Sequence, residues 1–214
     1  MNTGLEKTYR AHHGGKHRGD DFAILKSERG SFLKNHIGTG KQVLDIGCRD
    51  GELTSTYYEG NTVFGVDIDK VALERAQEKL GIDIKQMDLH ADWDLPESQY
   101  DVVVACELLE HVYFPKRIIK EVHKVLKEDG FLIGTIPHAY SLQGRIKFLL
   151  GIKSGTPLED PTHINHFSHR EFKKLLESEY REVVMDEIVP RKYTWLSKIL
   201  PFYFAHDLLF IARK

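Results

Sequence analysis

At 214 residues, with 41% hydrophobic and 29% charged side chains, the chain is long enough to bury one sizeable core, either as a single domain or as a domain with an added lid. Thirty Lys and Arg against 32 Asp and Glu leave a formal charge of -2, which excludes the global basic field of a nonspecific nucleic-acid binder. Cys48 and Cys106 are the only cysteines, so a disulfide scaffold and a C-x-x-C metal knuckle are excluded and a reducing compartment is expected.

The N-terminal MNTGLEKTYRAHHGGKHRGDD lacks the apolar segment of a secretory leader, and no run of about 18 apolar residues suggests a membrane span. A soluble, cytoplasmic protein is expected. Residues 7–29 carry Lys7, Arg10, Lys16, Arg18, Lys26 and Arg29 among His12, His13 and His17. Glycines interrupt any helical period there, so residues 1–30 read as a basic flap or a solvated leader ahead of a domain spanning 31–214.

From residue 42 onward, short β-rich runs alternate with helix-length segments. QVLDIG (42–47), TVFGVD (62–67), YDVVVAC (100–106) and GFLIGTIP (130–137) read as strands buried on both faces. VALERAQEKL (71–80) and PKRIIKEVHKVLKEDG (115–130) read as the helices between them. The second places Ile118, Ile119, Val122, Val125 and Leu126 on one stripe, with Pro115 at its start and Gly130 at its end. This alternation predicts an α/β fold: a mainly parallel sheet with right-handed crossovers and helices on both faces.

After Pro137 the alternation stops. Residues 138–167 mix Gly, Pro, Ser and His around the apolar IKFLLGI (146–152), and SHREFKKLLES then opens a helix with Ser168 and Glu171 at capping-box spacing. REVVMDEIV (181–189) and DLLFIARK (207–214) read as closing strands, joined through WLSKILPFYF (195–204). Open α/β sheets bind ligands beyond the carboxyl ends of their strands, so the 138–167 insert is expected to be a substrate lid. IKFLLGI and WLSKILPFYF can form an apolar rim for a lipid-like acceptor, a dimer contact, or ordinary core.

The turn in VLDIGCRDGE (43–52) carries the cofactor reading. A dinucleotide turn needs G-x-G-x-x-G, whereas Gly47-Cys48-Arg49-Asp50-Gly51 is G-x-x-x-G preceded by Asp45. An acid there disfavours a pyrophosphate and suits a ligand bearing an amino group, such as a sulfonium nucleoside with an amino-acid tail.

VLDIGCRDGELT resembles motif I of the class I methyltransferases that use S-adenosylmethionine, and FGVDID, KQMDLH, YDVVVACELLEHV and LKEDGFLIGTIP follow in the order and spacing of that family's later motifs. The resemblance covers residues 40–137 strongly and the remainder more loosely. It implies a Rossmann-like, seven-stranded, mostly parallel sheet with the lid inserted before the last helix, and S-adenosylmethionine as cofactor. Carried over residue by residue, it implies that Gly47 and Gly51 shape the turn and that Asp45 lies near the cofactor's amino group. Asp67, twenty positions after Gly47, would accept the ribose hydroxyls, Ile68 would pack on the adenine, and Asp88 and Leu89 would receive the adenine edge. Asp88 can equally cap a turn. Cys48 and Arg49 in the turn, and Cys106 and Glu107 after the fourth strand, complete the expected cofactor lining.

Arg49 stands where many family members have glycine. Either the position has positive φ, at a cost of about 1 kcal/mol or more for arginine, or φ is negative and the guanidinium reaches the cofactor carboxylate or solvent. A functional loop is expected in both cases.

Methyl transfer from a sulfonium is an in-line displacement that needs positioning and, for a hydroxyl acceptor, a base. His111, His138, His163 and His166 are the candidates, with His163 first and His166 second from EDPTHINHFS (159–168), and Ile164 and Phe167 turned to the core. ELLEH (107–111) resembles the ubiquinone-biosynthesis O-methyltransferase group, in which matching Glu107, Glu110 and His111 would hold a divalent metal. The simpler reading has His111 orienting the strand-end loop, and no metal is expected. CELLEHV occupies the place of the N/D-P-P-Y/F motif of N6-amino methyltransferases, so a nucleic-acid acceptor is not expected.

The resemblance implies a hydroxyl acceptor on a small molecule or a saccharide, with a quinone-type phenol or lipid-linked acceptor as the near alternative. A non-catalytic cofactor-binding partner is the third reading. Peripheral membrane contact and either a monomer or a homodimer are compatible with these features.

Overall fold

The computed structural model describes residues 4–13 and 22–214. Lys16, His17 and Arg18 of the expected flap, and the side chains of His12 and His13, lie outside the described residues.

Seven strands, β1 (Gln42–Ile46), β2 (Thr62–Asp67), β3 (Asp83–Gln86), β4 (Tyr100–Cys106), β5 (Leu126–Pro137), β6 (Glu182–Ile188) and β7 (Asp207–Arg213), form one sheet in the order β3-β2-β1-β4-β5-β7-β6. β7 alone runs antiparallel to its neighbours β5 and β6, and the remaining pairs are parallel. The order reverses between β1 and β4, so the loops leaving their carboxyl ends diverge and open a crevice there.

The sheet is central because successive side chains of its strands feed two separate cores. In β4, Val102 and Val104 join Leu33, Ile37 and Val43 on one face, while Val103 and Ala105 join Leu44, Ile118, Ile119 and Phe172 on the other. This is the period-2 logic of a strand buried on both sides. Helices α2 (Lys26–Ile37) and α3 (Lys70–Leu80) cover the first face, through Leu33, Ile37 and Ala76. Helices α4 (Pro115–Val125) and α6 (His169–Glu177) cover the second. The other described α-helices are α1 (Gly4–His13), α5 (Leu142–Leu149) and α7 (Thr194–Ser197).

Local signals explain most boundaries. Asp69 caps α3 by accepting from the Val71 and Ala72 N–H groups, and Gly81, at φ 66°, ends it. The expected capping box forms at α6, with Ser168 accepting from the Glu171 N–H and Glu171 returning to the Ser168 N–H. The helix expected over 115–130 instead stops at Val125. Leu126 turns extended and pairs with Tyr100, and Gly130 lies inside β5 after a register shift. A Cβ on Gly130 would come within 3.1 Å of the Lys127 and Asp101 carbonyl oxygens, so this glycine permits close strand approach and does not act as a helix stop.

The boundary expected at residue 30 falls inside α2. Arg29 and Gly30 are buried, and a Cβ on Gly30 would lie 2.7 Å from the Thr56 methyl. Arg29 is thus a core residue and not part of a solvated basic leader.

Candidate active site

The crevice is built by the turns that leave β1, β2 and β4, and it is closed on one side by Phe22–Ile24 and on another by residues around His163. In the β1 turn, Gly47 and Gly51 have φ of 77° and 73°. A Cβ on Gly47 would sit 3.1 Å from Leu108, and one on Gly51 2.7 Å from Leu80, so both positions demand glycine for conformation and for space. Arg49 resolves to the first of its two alternatives, with φ 50°. Its N–H donates to Asp67 Oδ2 at 2.9 Å, and its guanidinium donates to the Phe22 carbonyl at 3.0 Å. The arginine therefore joins the N-terminal segment to the turn. Nearby, Lys26 and Lys79 both pair with Glu52, tying the start of α2 and the end of α3 to the same loop.

Asp45 is buried at the end of β1, where its Oδ2 accepts from Thr54 Oγ1 at 2.6 Å and Tyr57 Oη at 2.5 Å. Burial pushes its carboxyl up to about 6, partly offset by those two hydrogen bonds and reinforced by the charge of Asp67. Cys48 packs under β2, where a Cβ on Gly65 would meet its Sγ at 2.8 Å, and burial pushes its thiol well up.

Asp67 ends β2 with both carboxylate oxygens aimed at backbone donors, Oδ1 at the Asp69 N–H and Oδ2 at the Arg49 N–H, each 2.9 Å. Ile68, Asp88 and Leu89 line the same wall. Asp88 Oδ1 accepts from the His90 N–H at 2.9 Å, with the His90 ring 3.1 Å away, so it does cap a turn while its carboxylate borders the crevice.

At the end of β4, burial raises the Cys106 thiol. Glu107 adopts φ 51°, and its side chain accepts from Thr135 Oγ1 at 3.0 Å and pairs with Arg29 at 2.9 Å. Arg29 in turn donates twice to Asp207 Oδ2, at 2.9 and 2.5 Å. Burial disfavours the guanidinium charge, but Glu107 and Asp207 overcome it and raise its pKa. Burial also raises the Glu107 carboxyl, against the pull of Arg29.

The opposite wall joins two distant loops. The Ile164 and Asn165 N–H groups both donate to the Glu110 carbonyl at 2.9 Å, and Asn165 Nδ2 donates to the Val112 carbonyl at 2.6 Å. This pins the 160–165 segment against the β4 loop and brings the His111 and His163 rings to 4.7 Å, edge to face. His111 Nδ1 lies 3.0 Å from the Thr162 carbonyl and His163 Nδ1 2.9 Å from the Pro157 carbonyl. A carbonyl only accepts, so each Nδ1 carries the proton of the neutral ring and each Nε2 is the basic nitrogen.

Beneath them Glu110 is buried with neither carboxylate oxygen hydrogen-bonded, and burial, followed by the charge of Glu107, pushes its carboxyl well up. Ligand atoms of Glu110, His111 and His163 all lie within 4.8 Å of one another, and one carboxylate with two imidazoles suits a divalent ion. The trio that the resemblance implies, Glu107, Glu110 and His111, is not the one the fold gathers. Arg29 and Thr135 occupy Glu107, and His163 takes its place.

His166 does not line the crevice, and its buried Nε2 has no hydrogen-bond partner. Ile164, expected in the core, is exposed, whereas Phe167 packs on the core beside Phe172 as expected. Sequence reasoning missed Phe22–Ile24, Arg29, Met87 and Leu108. Phe22–Ile24 and Arg29 carry no local motif and reach the crevice only through the fold, whereas Met87 and Leu108 sit inside KQMDLH and ELLEH beside the residues those motifs single out.

This sheet order, with a glycine turn after β1 and an acid closing β2, defines the class I methyltransferase architecture. A family model described as a methyltransferase domain matches residues 19–179, and the chain belongs to that family of S-adenosylmethionine-dependent enzymes. Among curated relatives, it is 32% identical over 106 residues to a ubiquinone biosynthesis O-methyltransferase of Nitrosococcus oceani, covering 46% of this chain and 45% of that protein. It is 35% identical over 114 residues to the enzyme of that name from Pseudomonas entomophila, covering 48% and 49%. The matched stretch thus spans about half the length of these relatives. Among solved structures, a SAM-dependent methyltransferase from Archaeoglobus fulgidus superposes with a TM-score of 0.67 at 22% identity, covering 96% of this chain and 99% of that one. One from Mesorhizobium loti gives 0.64 at 18% identity, covering 86% and 96%. At these identities the likeness speaks to the fold.

Proposed function

We propose that this enzyme transfers the methyl group of S-adenosylmethionine to an oxygen atom of a small-molecule acceptor. The observation that carries the reading is the meeting, across one crevice, of the strand-end carboxylates Asp45, Asp67 and Asp88 with the His111–His163 pair. When bound, the cofactor supplies an electrophilic methyl group on a sulfonium, open to in-line attack. Asp67 at the end of β2 accepts the ribose hydroxyls, Asp45 faces the amino group, and Asp88, Leu89 and Ile68 bound the adenine. The glycine turn lets the backbone approach the methionine part.

On the acceptor side, His163 Nε2 takes the proton of the acceptor hydroxyl, with His111 beside it as the second imidazole. A divalent ion, if bound, would be held by Glu110, His111 and His163, would lower the pKa of a nearby hydroxyl, and would replace His163 in the role of base, since its Nε2 cannot bind metal and proton at once. An oxygen acceptor is supported by the names of the curated relatives, and those names favour a quinone-type phenol over a saccharide hydroxyl.

The test is radiolabelled methyl transfer to catechol-type phenols, to sugars and to cell-extract fractions. Label is expected in a hydroxyl compound. His163→Ala is expected to lower kcat by about 100-fold or more while cofactor affinity, read by calorimetry, stays within about twofold. Cofactor binding without label transfer into any fraction would make the protein a non-catalytic binder, and full turnover in His163→Ala would remove His163 from the mechanism.

A further inference from the structure

We propose that the face formed by α5 and residues 191–203 docks on an anionic lipid bilayer. Two segments far apart in sequence lie side by side here: the Leu142 N–H donates to the Tyr203 carbonyl at 2.7 Å, and the Arg145 guanidinium sits 5.5 Å above the Tyr203 ring. Together they leave large apolar side chains in water, with Leu149 88%, Ile199 70%, Leu150 68% and Trp195 63% exposed. Large apolar side chains left this exposed on two neighbouring segments mark an interaction surface.

Charge selects the partner. The stretches 138–158 and 189–206 contain no Asp or Glu, yet they hold Arg145, Lys147, Lys153, Arg191, Lys192 and Lys198, in a chain whose formal charge is -2. Apolar residues with an exposed tryptophan among Lys and Arg match the headgroup boundary of a bilayer, where aliphatic groups enter the acyl region and cations meet anionic headgroups. A two-fold dimer through the same face would set six cations against six others, which disfavours a second copy. Among the described residues no helix is long and apolar enough to cross a membrane, so the contact is one of lying on the surface.

The topology gives this face a use. The first segment follows the carboxyl end of β5 and the second precedes β7, whose Asp207 pairs with Pro137, so both leave the sheet at the edge that carries the crevice. A docked enzyme would present its acceptor side to molecules partitioned in the membrane. The inference does not depend on the acceptor atom being oxygen.

The test is co-sedimentation of the full chain with vesicles of phosphatidylcholine alone, or containing about 30% phosphatidylglycerol. Binding is expected with the anionic vesicles at low salt and is expected to weaken as salt rises. Lys153→Ala with Lys198→Ala, which leaves packing untouched, is expected to lower the partition coefficient about 30-fold. Leu149→Glu with Ile199→Glu is expected to abolish pelleting while melting temperature and cofactor affinity are retained. Absence of pelleting with anionic vesicles, or pelleting unaffected by either pair, overturns the proposal. So does concentration-dependent self-association that is lost in Leu149→Glu/Ile199→Glu, which would assign the face to a second copy.

Discussion

Asp45 illustrates how a single residue can make ligand binding depend on pH. Burial holds its carboxyl at about 6, so between about 4 and 6 the fold keeps a proton that the unfolded chain, with an aspartate near 4, releases. The sign follows by linkage: between about 4 and 6 the native state binds more protons, and this residue's contribution to stability falls as pH rises. A cationic amino group needs the ionised form, so affinity for S-adenosylmethionine is expected to weaken as pH drops below about 6, approaching tenfold per unit. Calorimetric titrations across that range check it, with Asp45→Asn expected to flatten the profile. A flat wild-type profile would place the amino group elsewhere. Arg49 shows the converse: its left-handed backbone is costly for arginine, and its N–H and guanidinium bind Asp67 and the Phe22 carbonyl in return.

At the scale of elements, the junction of β5 and α5 holds a second titratable group. His138 is buried with its backbone N–H donating to the His206 carbonyl at 2.9 Å and neither ring nitrogen hydrogen-bonded. Burial, with the charges of His169 and Arg145, holds its imidazole down to about 4. The unfolded chain takes up a proton near pH 6.5 that the fold refuses, so this stabilising contribution is full above that value and is lost as pH falls toward 4. Relative to His138→Gln, wild type is expected to lose about 2 kcal/mol between pH 7 and 5, read from urea denaturation of both proteins. A constant difference would show that the imidazole is solvated. The ends of elements were less legible than their existence. The stripe through Leu126 continues the helical pattern of α4, because a buried leucine satisfies a helix and a strand alike, and only pairing with Tyr100 decides for β5.

For the whole molecule, Arg29 is the tie between the N-terminal region and the far end of the chain. It joins α2 to Asp207 of β7 and to Glu107 after β4, so one guanidinium neutralises two carboxylates behind the crevice. Arg29→Met is expected to cost about 3 kcal/mol, because it leaves the half-buried Glu107 without its counter-charge and the buried Asp207 with His206 alone. Adding Asp207→Asn is expected to restore part of that loss in a double-mutant cycle. Additive losses would show that the pair is not coupled.

By itself the sequence determined the sheet, since strands buried on both faces and amphipathic helices between them write their period directly into the residues. It also determined the glycine turn and the acid closing β2, because these are short-range demands of backbone conformation and spacing. Only the tertiary structure decided the acceptor wall. His163 reaches His111 across fifty-two residues because Ile164 and Asn165 hydrogen-bond to the Glu110 carbonyl, and Glu107 leaves that cluster because Arg29 claims it. Such partners are chosen by competition among groups brought together from distant parts of the chain, and no local pattern records the outcome.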